Sequence, residues 1–276
     1  MSEKRQDVAQ RGMTGPPGRR QEQRGGRRQQ ARRRLVVVSE RDRELLELVE
    51  EQYAITLPQL ARLIGRTHET ARALRDRWKR AGWIDSGKLA VDAPPFVWLT
   101  KRAPIEPSFR TWEPRPGLAL HIAAITDVRI LLERELRRGR WECERAIAQR
   151  FAYQGRRGRD HLPDALLHTR AGTVAIEVEL TLKSRERVAA IILELAREYE
   201  HVWYFAPATL ASKLARIAAE TPWGNVHVQT QPPSALDFLA TAPLTARGAA
   251  ALVDDDGARA ENPAKGDVDF PMEWGA

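Results

Sequence analysis

Apolar residues recur at helical spacing in three short stretches near the beginning of the sequence. The first stretch covers Arg41–Gln52. The second starts near Leu57 and ends at Gly65, and the third starts near Thr67 and continues to Arg80. Each stretch carries the small polar or glycine residues that commonly begin or end a helix. The pattern therefore predicts three short helices in close succession.

An extended stretch follows the third helix and begins at Trp83-Ile84. We expect a turn at Asp85-Ser86-Gly87, strands at Lys88–Val91 and Phe96–Thr100, and a tip at residues 92–95 between those strands. Three short helices followed by a hairpin are typical of a winged helix-turn-helix domain, here spanning residues 35–103. In such a domain the third helix enters the major groove of DNA.

The third helix has an apolar face and a basic face. Ala71, Leu74 and Trp78 form a stripe for the core. The opposite face carries the side chains that we predict to bind DNA: His68, Arg72, Arg75 and Lys79. Some winged helices bind only protein, but six Lys and Arg against two acidic residues between positions 65 and 84 favour double-stranded DNA.

The second half of the chain alternates between helical and strand patterns. Residues 104–117 are rich in Pro and Trp and are interpreted as a linker. The predicted elements after it are a helix at 118–138, strands at 141–149, 161–168 and 173–181, a helix at 184–199, a strand at 201–206, a helix at 208–220 and a strand at 225–230. The predicted order is αβββαβ, then αβ, which indicates an α/β domain over residues 118–235.

The positive charge of the chain is concentrated at its beginning. The 276 residues carry a formal net charge of +8, and residues 1–34 alone hold eleven Lys and Arg against three acidic residues. Residues 240–276 have the opposite balance, with three basic and seven acidic residues. Both segments have few large apolar side chains, so we predict a disordered basic arm at 1–34 and a disordered acidic tail at 236–276.

The composition also restricts the protein's class and location. No apolar run is long enough to span a bilayer, and no signal-peptide pattern follows the basic start, so we expect no membrane partner. The single cysteine, Cys143, excludes an internal disulfide and any site with several cysteine ligands. A reducing cytoplasm is the natural location.

The acidic residues of the α/β half form a recognisable pattern. Pro163-Asp164 is followed, thirteen residues after the aspartate, by Glu177-Val-Glu179 on an apolar strand. With the predicted element order, this pattern resembles the PD-(D/E)xK nuclease superfamily, which has a restriction-endonuclease-like fold. The resemblance implies that Asp164 and Glu177 bind Mg²⁺, which polarises a phosphodiester and lowers the pKa of an attacking water.

The position that usually holds the lysine of that superfamily is Glu179 in this chain. Some restriction enzymes of the superfamily carry glutamate there and remain active. Alternatively, Lys183 supplies the positive charge, since alternation places it on the same face as Glu177 if the strand continues that far. The predicted catalytic residues are therefore Asp164, Glu177, Glu179 and Lys183. A site that has lost catalytic activity is the third alternative.

The combination of the two halves resembles the replication-relaxation family of plasmid and mobile-element proteins. The matching pieces are Leu120-His121, Leu162-Pro-Asp-Ala165 and Ile176-Glu-Val-Glu-Leu-Thr181. The resemblance implies a DNA-binding protein in replication-relaxation or DNA processing, with a relaxase, a replication protein or a second copy of the chain as partner. A metal-dependent endonuclease and a non-catalytic regulator with a degenerate nuclease-like domain both fit.

Several other polar residues have more than one interpretation. Asp127 or His121 is a candidate to complete the acidic site, although a hydrogen-bonding role for His121 is favoured. His161 and His168 flank Asp164, but too few further ligands accompany them for zinc. Three arginines of a glycine-rich loop fit either a solvated tip or phosphate contact and are counted among the predicted DNA-binding residues: Arg156, Arg157 and Arg159.

Overall fold

In the computed structural model, which describes residues 37–90, 93–112, 114–156, 161–181, 183–222 and 224–230, the first three helices confirm the sequence prediction. They are α1 (Glu40–Glu51), α2 (Leu57–Ile64) and α3 (His68–Ala81). Ser39 and Thr56 cap α1 and α2 through reciprocal capping boxes, and Thr67 caps α3. Gly65 and Gly82 end α2 and α3 in the left-handed conformation, where a side chain would strain the backbone.

The hairpin after α3 is real, but its first strand was predicted too late in the chain. A small antiparallel sheet has the order β1-β3-β2, formed by β1 (Ile55–Thr56), β2 (Ile84–Gly87) and β3 (Phe96–Leu99). The predicted turn residues Asp85, Ser86 and Gly87 belong to β2 and pair with β3. Burial of Ile84 in the core fixes this register, whereas the predicted strand at 88–91 contributes no pairing within the described residues.

The rest of the described chain forms a five-stranded mixed sheet with the order β4-β5-β6-β7-β8. Its strands are β4 (Arg140–Cys143), β5 (Ala165–Thr169), β6 (Gly172–Val178), β7 (His201–Ala206) and β8 (Val226–Thr230). The pairs β4–β5 and β5–β6 are antiparallel, and the pairs β6–β7 and β7–β8 are parallel. The helices of this half are α4 (Pro116–Arg129), α5 (Glu144–Tyr153), α6 (Arg185–Glu198) and α7 (Ala208–Ala219).

The predicted strand over Trp141–Gln149 is wrong in its second half. Only residues 140–143 are extended, and α5 begins directly after Cys143. Ile147 and Phe151, four positions apart, are both buried against one side of the sheet, which is helical and not alternating spacing. The observed order is therefore αβαββαβαβ, with one more helix than predicted. The predicted helix at 118–138 is not α-helical throughout, since a π-helical segment, Ile130–Glu135, follows α4.

The five-stranded sheet is covered by helices on both faces. On one face Ala175 of β6 and Tyr204 of β7 pack against apolar residues of α5, α6 and α7. On the other face Ile176 and Val178 pack against α4 and the residues just after it. Among the described helices, none is both long and apolar enough to cross a bilayer.

A buried polar contact joins the first three helices to α4. Asp127 is fully buried, and its Oδ1 accepts hydrogen bonds from Gln59 Nε2 at 2.9 Å and Arg62 Nη1 at 3.1 Å. Gln59 also donates to the carbonyl oxygen of Ala123 at 2.7 Å. The described residues from Val38 to Thr230 belong to a single compact unit. The three-helix part and the five-stranded part are therefore held in a fixed mutual position.

Replacing Asp127 with Ala should lower the free energy of unfolding by about 3 kcal/mol, because the half-buried Arg62 and the buried Gln59 then lose a shared acceptor. The measurement is chemical denaturation of the full chain. Glu220→Ala is the matched control, since Glu220 pairs with Arg185 at the exposed surface, and its effect should stay below about 1 kcal/mol. Equal effects of the two substitutions would contradict a structural role for the buried contact.

Candidate functional site

Two carboxylates meet where β5 begins and β6 ends. Ala165 pairs with Ile176 in the antiparallel ladder, so Asp164, one residue earlier, lies opposite Glu177. The backbone N–H of Val178 donates to Asp164 Oδ2 at 2.7 Å, which fixes the aspartate against the end of β6. The structure thus brings together the aspartate and the first glutamate that the sequence predicts as metal ligands.

Glu177 is the most deeply buried acid of this group, with 3% of its surface exposed. Burial, reinforced by the charge of Asp164, raises the pKa of Glu177 to about 7. His161 Nε2 lies 3.0 Å from Glu177 Oε1, and this hydrogen bond favours the ionised carboxylate. Burial opposes protonation of His161, but the bond to Glu177 outweighs it and raises the pKa of the imidazole. The pair therefore holds a proton near neutral pH.

A second histidine, His121 of α4, contacts the aspartate. Its Nε2 lies 3.0 Å from Asp164 Oδ1. Burial acts to lower the pKa of His121, whereas the hydrogen bond and charge of Asp164 raise it by more. The side chain of His121 is 37% exposed, so the cluster is reached from solvent on this side. His121 therefore forms a hydrogen bond, the role favoured from the sequence, and because its partner is Asp164 it also belongs to the acidic site, the other role considered.

Glu179 and Lys183 lie just past the end of β6. The backbone N–H of Glu179 still donates to the Phe205 carbonyl of β7, and its buried carboxylate pairs with the half-exposed ammonium of Lys183. Lys183 therefore adds a positive charge beside the acids. Tyr204, opposite Glu177 in the β6–β7 register, is buried, and its hydroxyl has no hydrogen-bond partner in the described part of the chain. We define the carboxylate cluster as Asp164, Glu177 and Glu179 with the paired side chains His121, His161 and Lys183.

Two residues that the sequence does not single out extend the cluster towards α1. Glu144, at the start of α5, is buried enough to raise its pKa, and the charge of Asp164 adds to this effect. The hydroxyl of Tyr53 donates to Glu144 Oε2 at 3.3 Å. The partnership of His161 with Glu177 is also absent from the sequence prediction, although a histidine three residues before Asp164 is a usable signal.

Other candidates lie away from the cluster. Asp127 belongs to the buried contact with Gln59 and Arg62. His168 is at the far end of β5 and bonds Glu142 at 2.7 Å. Arg156 makes a two-bond ion pair with Glu198. The predicted residues and segments that lie outside the described residues are Arg157, Arg159, the basic arm and the acidic tail.

The donor chemistry of the cluster suits a hard divalent cation only in part. Mg²⁺ is commonly bound by one or two carboxylates together with waters and phosphate oxygens, and Asp164 with Glu177 offers such a pair. Within the described ranges, however, no group of three or more His, Cys, Asp or Glu side chains is arranged to hold a metal. His121 and His161 occupy one oxygen of each carboxylate. A bound cation would therefore have to compete with these two hydrogen bonds.

The basic face of α3 is on the surface, as the sequence predicts. His68, Arg72 and Lys79 are exposed and Arg75 is half-buried, whereas Ala71 is buried on the opposite side. Trp78 is also buried on that side. Two of the basic side chains form ion pairs with exposed acids close by, Arg75 with Asp76 and Lys79 with Asp85. Such exposed pairs are weak and leave the guanidinium and ammonium groups available to phosphate.

The raised pKa of Glu177 predicts a specific pH dependence of stability. The folded state keeps the proton of Glu177 to higher pH than the unfolded chain does. This contribution is therefore complete below pH 4.5 and is lost as the pH rises through about 7. Relative to Glu177→Gln, wild type should lose up to about 3 kcal/mol of unfolding free energy over that range. The measurement is the unfolding free energy of both proteins, obtained by denaturant unfolding at a series of pH values across this range.

Glu142→Gln is the control for this measurement. Burial opposes ionisation of Glu142, but hydrogen bonds from His168 and Arg150 outweigh it and lower its pKa. The difference between wild type and this variant should therefore change with pH in the opposite direction. A pH-independent difference between wild type and Glu177→Gln would show that Glu177 ionises normally.

No family model matches the chain, and neither a curated protein nor a solved structure does. The function of the carboxylate cluster and of α3 is therefore inferred from their own geometry and charges.

Proposed function

We propose that this protein binds duplex DNA through a winged helix-turn-helix formed by its first three helices and small sheet, and that its α/β part is a nuclease-like domain acting on that DNA. The observation that carries the proposal is the meeting of Asp164 and Glu177 at the adjoining ends of β5 and β6. The resemblance of the sequence to the replication-relaxation family supports a role in plasmid or mobile-element DNA processing, in the cytoplasm.

The DNA-binding part of the proposal is supported by α3. Its N-terminus is capped by Thr67, its buried side is anchored by Ala71 and Trp78, and its other side presents basic residues to solvent. Trp78 donates its indole N–H to the buried Asp42 at 2.8 Å, which fixes the rotation of the helix. A rigid helix with an exposed basic face is the element that winged-helix proteins insert into the major groove.

The catalytic part of the proposal is supported by the free energy that it costs to bury the acids of the carboxylate cluster close together. Burying Glu177 beside Asp164 places two acids in a poorly solvated position, which is unfavourable unless a positive charge or a proton compensates. Strongly perturbed carboxyl groups of this kind occur most often at functional sites. A divalent cation held by Asp164 and Glu177 would polarise a scissile phosphate and lower the pKa of an attacking water.

The chain's own side chains then have distinct roles. Lys183, paired with Glu179 and half-exposed, is suited to attract the phosphate of a bound strand. His121, partly exposed and hydrogen-bonded to Asp164, orients that carboxylate and holds a proton at Nε2. His161 does the same for Glu177 from the buried side. Glu179, the predicted substitute for the usual lysine, is buried and forms an ion pair with Lys183.

A second candidate function is a non-catalytic regulator or relaxosome accessory factor. The observation that favours it is that the three acids already have a cationic or protonatable partner each: His121, His161 and Lys183. Such internal pairing stabilises the site without a metal. In this case the α/β part serves as a scaffold for a relaxase, a replication protein or a second copy of the chain.

The double substitution Arg72→Glu/Arg75→Glu should weaken binding to duplex DNA at least about tenfold, because it reverses two charges on the face that meets the phosphates. Lys213→Glu/Arg216→Glu makes the same charge change on the exposed side of α7 and is the matched control. A gel-shift titration measures both variants. Equal affinities of the two variants would remove α3 as the DNA-binding element.

Purified wild type should nick supercoiled plasmid when Mg²⁺ or Mn²⁺ is added, and Asp164→Asn/Glu177→Gln should abolish nicking while duplex binding is retained. Glu142→Gln is the control, because Glu142 forms a half-buried carboxylate–histidine pair with His168 in the same sheet, away from the cluster. Intact duplex binding without nicking by wild type would favour the regulator.

A further inference from the structure

A cleft of about 370 Å³ lies beside the end of β3 and the segment that leads towards α4. Three aromatic rings line it, from Tyr53, Phe109 and Trp112. The positively charged residues Lys101, Arg110 and Arg145 line it as well. Its volume is within the range of small-molecule binding sites, at the small end of that range. Aromatic surface and positive charge are therefore combined in one concave site that the carboxylate cluster does not include.

The rings of the cleft are held in place by Arg145. Its guanidinium carbon lies 4.6 Å from the ring centroid of Tyr53 and 4.7 Å from that of Phe109. Arg145 also donates to the carbonyl oxygen of Glu50 at 2.6 Å and to that of Arg110. Trp112 contacts Tyr53 edge to face, with 5.6 Å between the ring centroids. Rings fixed in this way lose little further freedom when they bind a ligand.

Tyr53 has an unusual backbone for a bulky residue. Its φ of +65° is in the left-handed region, just after the end of α1, where glycine or asparagine is common. Strained residues of this kind concentrate at binding and catalytic sites. The strain places the Tyr53 ring in the cleft and its hydroxyl against Glu144. Cys143 pairs with Ala165 in the antiparallel β4–β5 ladder, so Glu144, the next residue, lies opposite Asp164 and the cleft adjoins the carboxylate cluster.

We infer that this cleft binds an unpaired base of a DNA strand whose backbone passes the carboxylate cluster. Sites for single-stranded nucleic acid combine a positively charged groove with aromatic rings on which bases stack, and the cleft has both. Lys101 and Arg110 are exposed and match the negative charge of the flanking phosphates. The inference rests on the proposed function, because it assumes that the strand in the cleft is the one presented to Asp164 and Glu177.

The test uses the full chain and a short single-stranded DNA with 2-aminopurine at its centre. Stacking in the cleft should quench the fluorescence of this base on wild type. An otherwise identical strand with an abasic position should bind about tenfold more weakly, the usual effect of losing one stacked base. Trp112→Ala should remove both the quenching and the preference for the intact strand. Equal binding of intact and abasic strands to wild type would overturn the inference.

Two further variants keep the test independent of folding and of the proposed function. Lys101→Glu alters only an exposed charge and should weaken binding of the intact strand without changing stability. Tyr153→Ala removes an aromatic ring that is 95% exposed and does not line the cleft, and should retain quenching. If Tyr153→Ala also lost the quenching, the inference that the base stacks in the cleft would be contradicted. Duplex binding is measured in parallel, so that its absence overturns the proposed function while quenching still reports on the cleft.

Discussion

One buried carboxylate, Asp127, sets the relation between the two halves of this protein. It accepts hydrogen bonds from Gln59 and Arg62 of α2, so the first three helices cannot move freely against α4. The same α4 carries His121, which contacts Asp164 at the carboxylate cluster. The basic face of α3, the aromatic cleft and the cluster therefore belong to one unit. DNA bound by α3 would meet the cluster at a fixed distance and orientation, which is the condition for acting at a defined position on a strand.

Burying the carboxylates of the cluster carries a desolvation cost, which their charged or protonatable partners offset in part. Its acids, Asp164, Glu177 and Glu179, are paired with His121, His161 and Lys183, which are drawn from three different segments of the chain. Replacing such buried ionic groups with apolar ones is often neutral or stabilising in other proteins, so folding stability alone does not account for them. The unpartnered hydroxyl of Tyr204 and the strained backbone of Tyr53 occur near the same place. Natural proteins most often carry such energetically unfavourable features at functional sites.

Local sequence signals predicted what depends on neighbouring residues. The helical spacing of the apolar residues, with small polar residues before it, placed α1 to α3 correctly, and Asp164 and Glu177 proved to be adjacent across β5 and β6. The secondary-structure predictions were wrong where a short stretch of residues fits more than one kind of element. Residues 144–149 carry too few apolar side chains to separate helix from strand. The pairing of Asp85–Gly87 depends on β3, whose partner residues are nine to thirteen positions further along the chain. The pairs His161–Glu177 and Tyr53–Glu144 are set by tertiary packing, which a periodicity does not encode.

The most direct test of this arrangement is to map, on one duplex, both the protein's footprint and the positions of metal-dependent nicks. If α3 and the carboxylate cluster are held in one rigid unit, the nicks should fall at a constant distance from the footprint edge, on a defined strand. Loosening the unit with Asp127→Asn should spread those positions without moving the footprint. Nicks scattered relative to the footprint of wild type, or a footprint with no nicks at all, would contradict the view that the duplex-binding helix delivers DNA to a catalytic cluster.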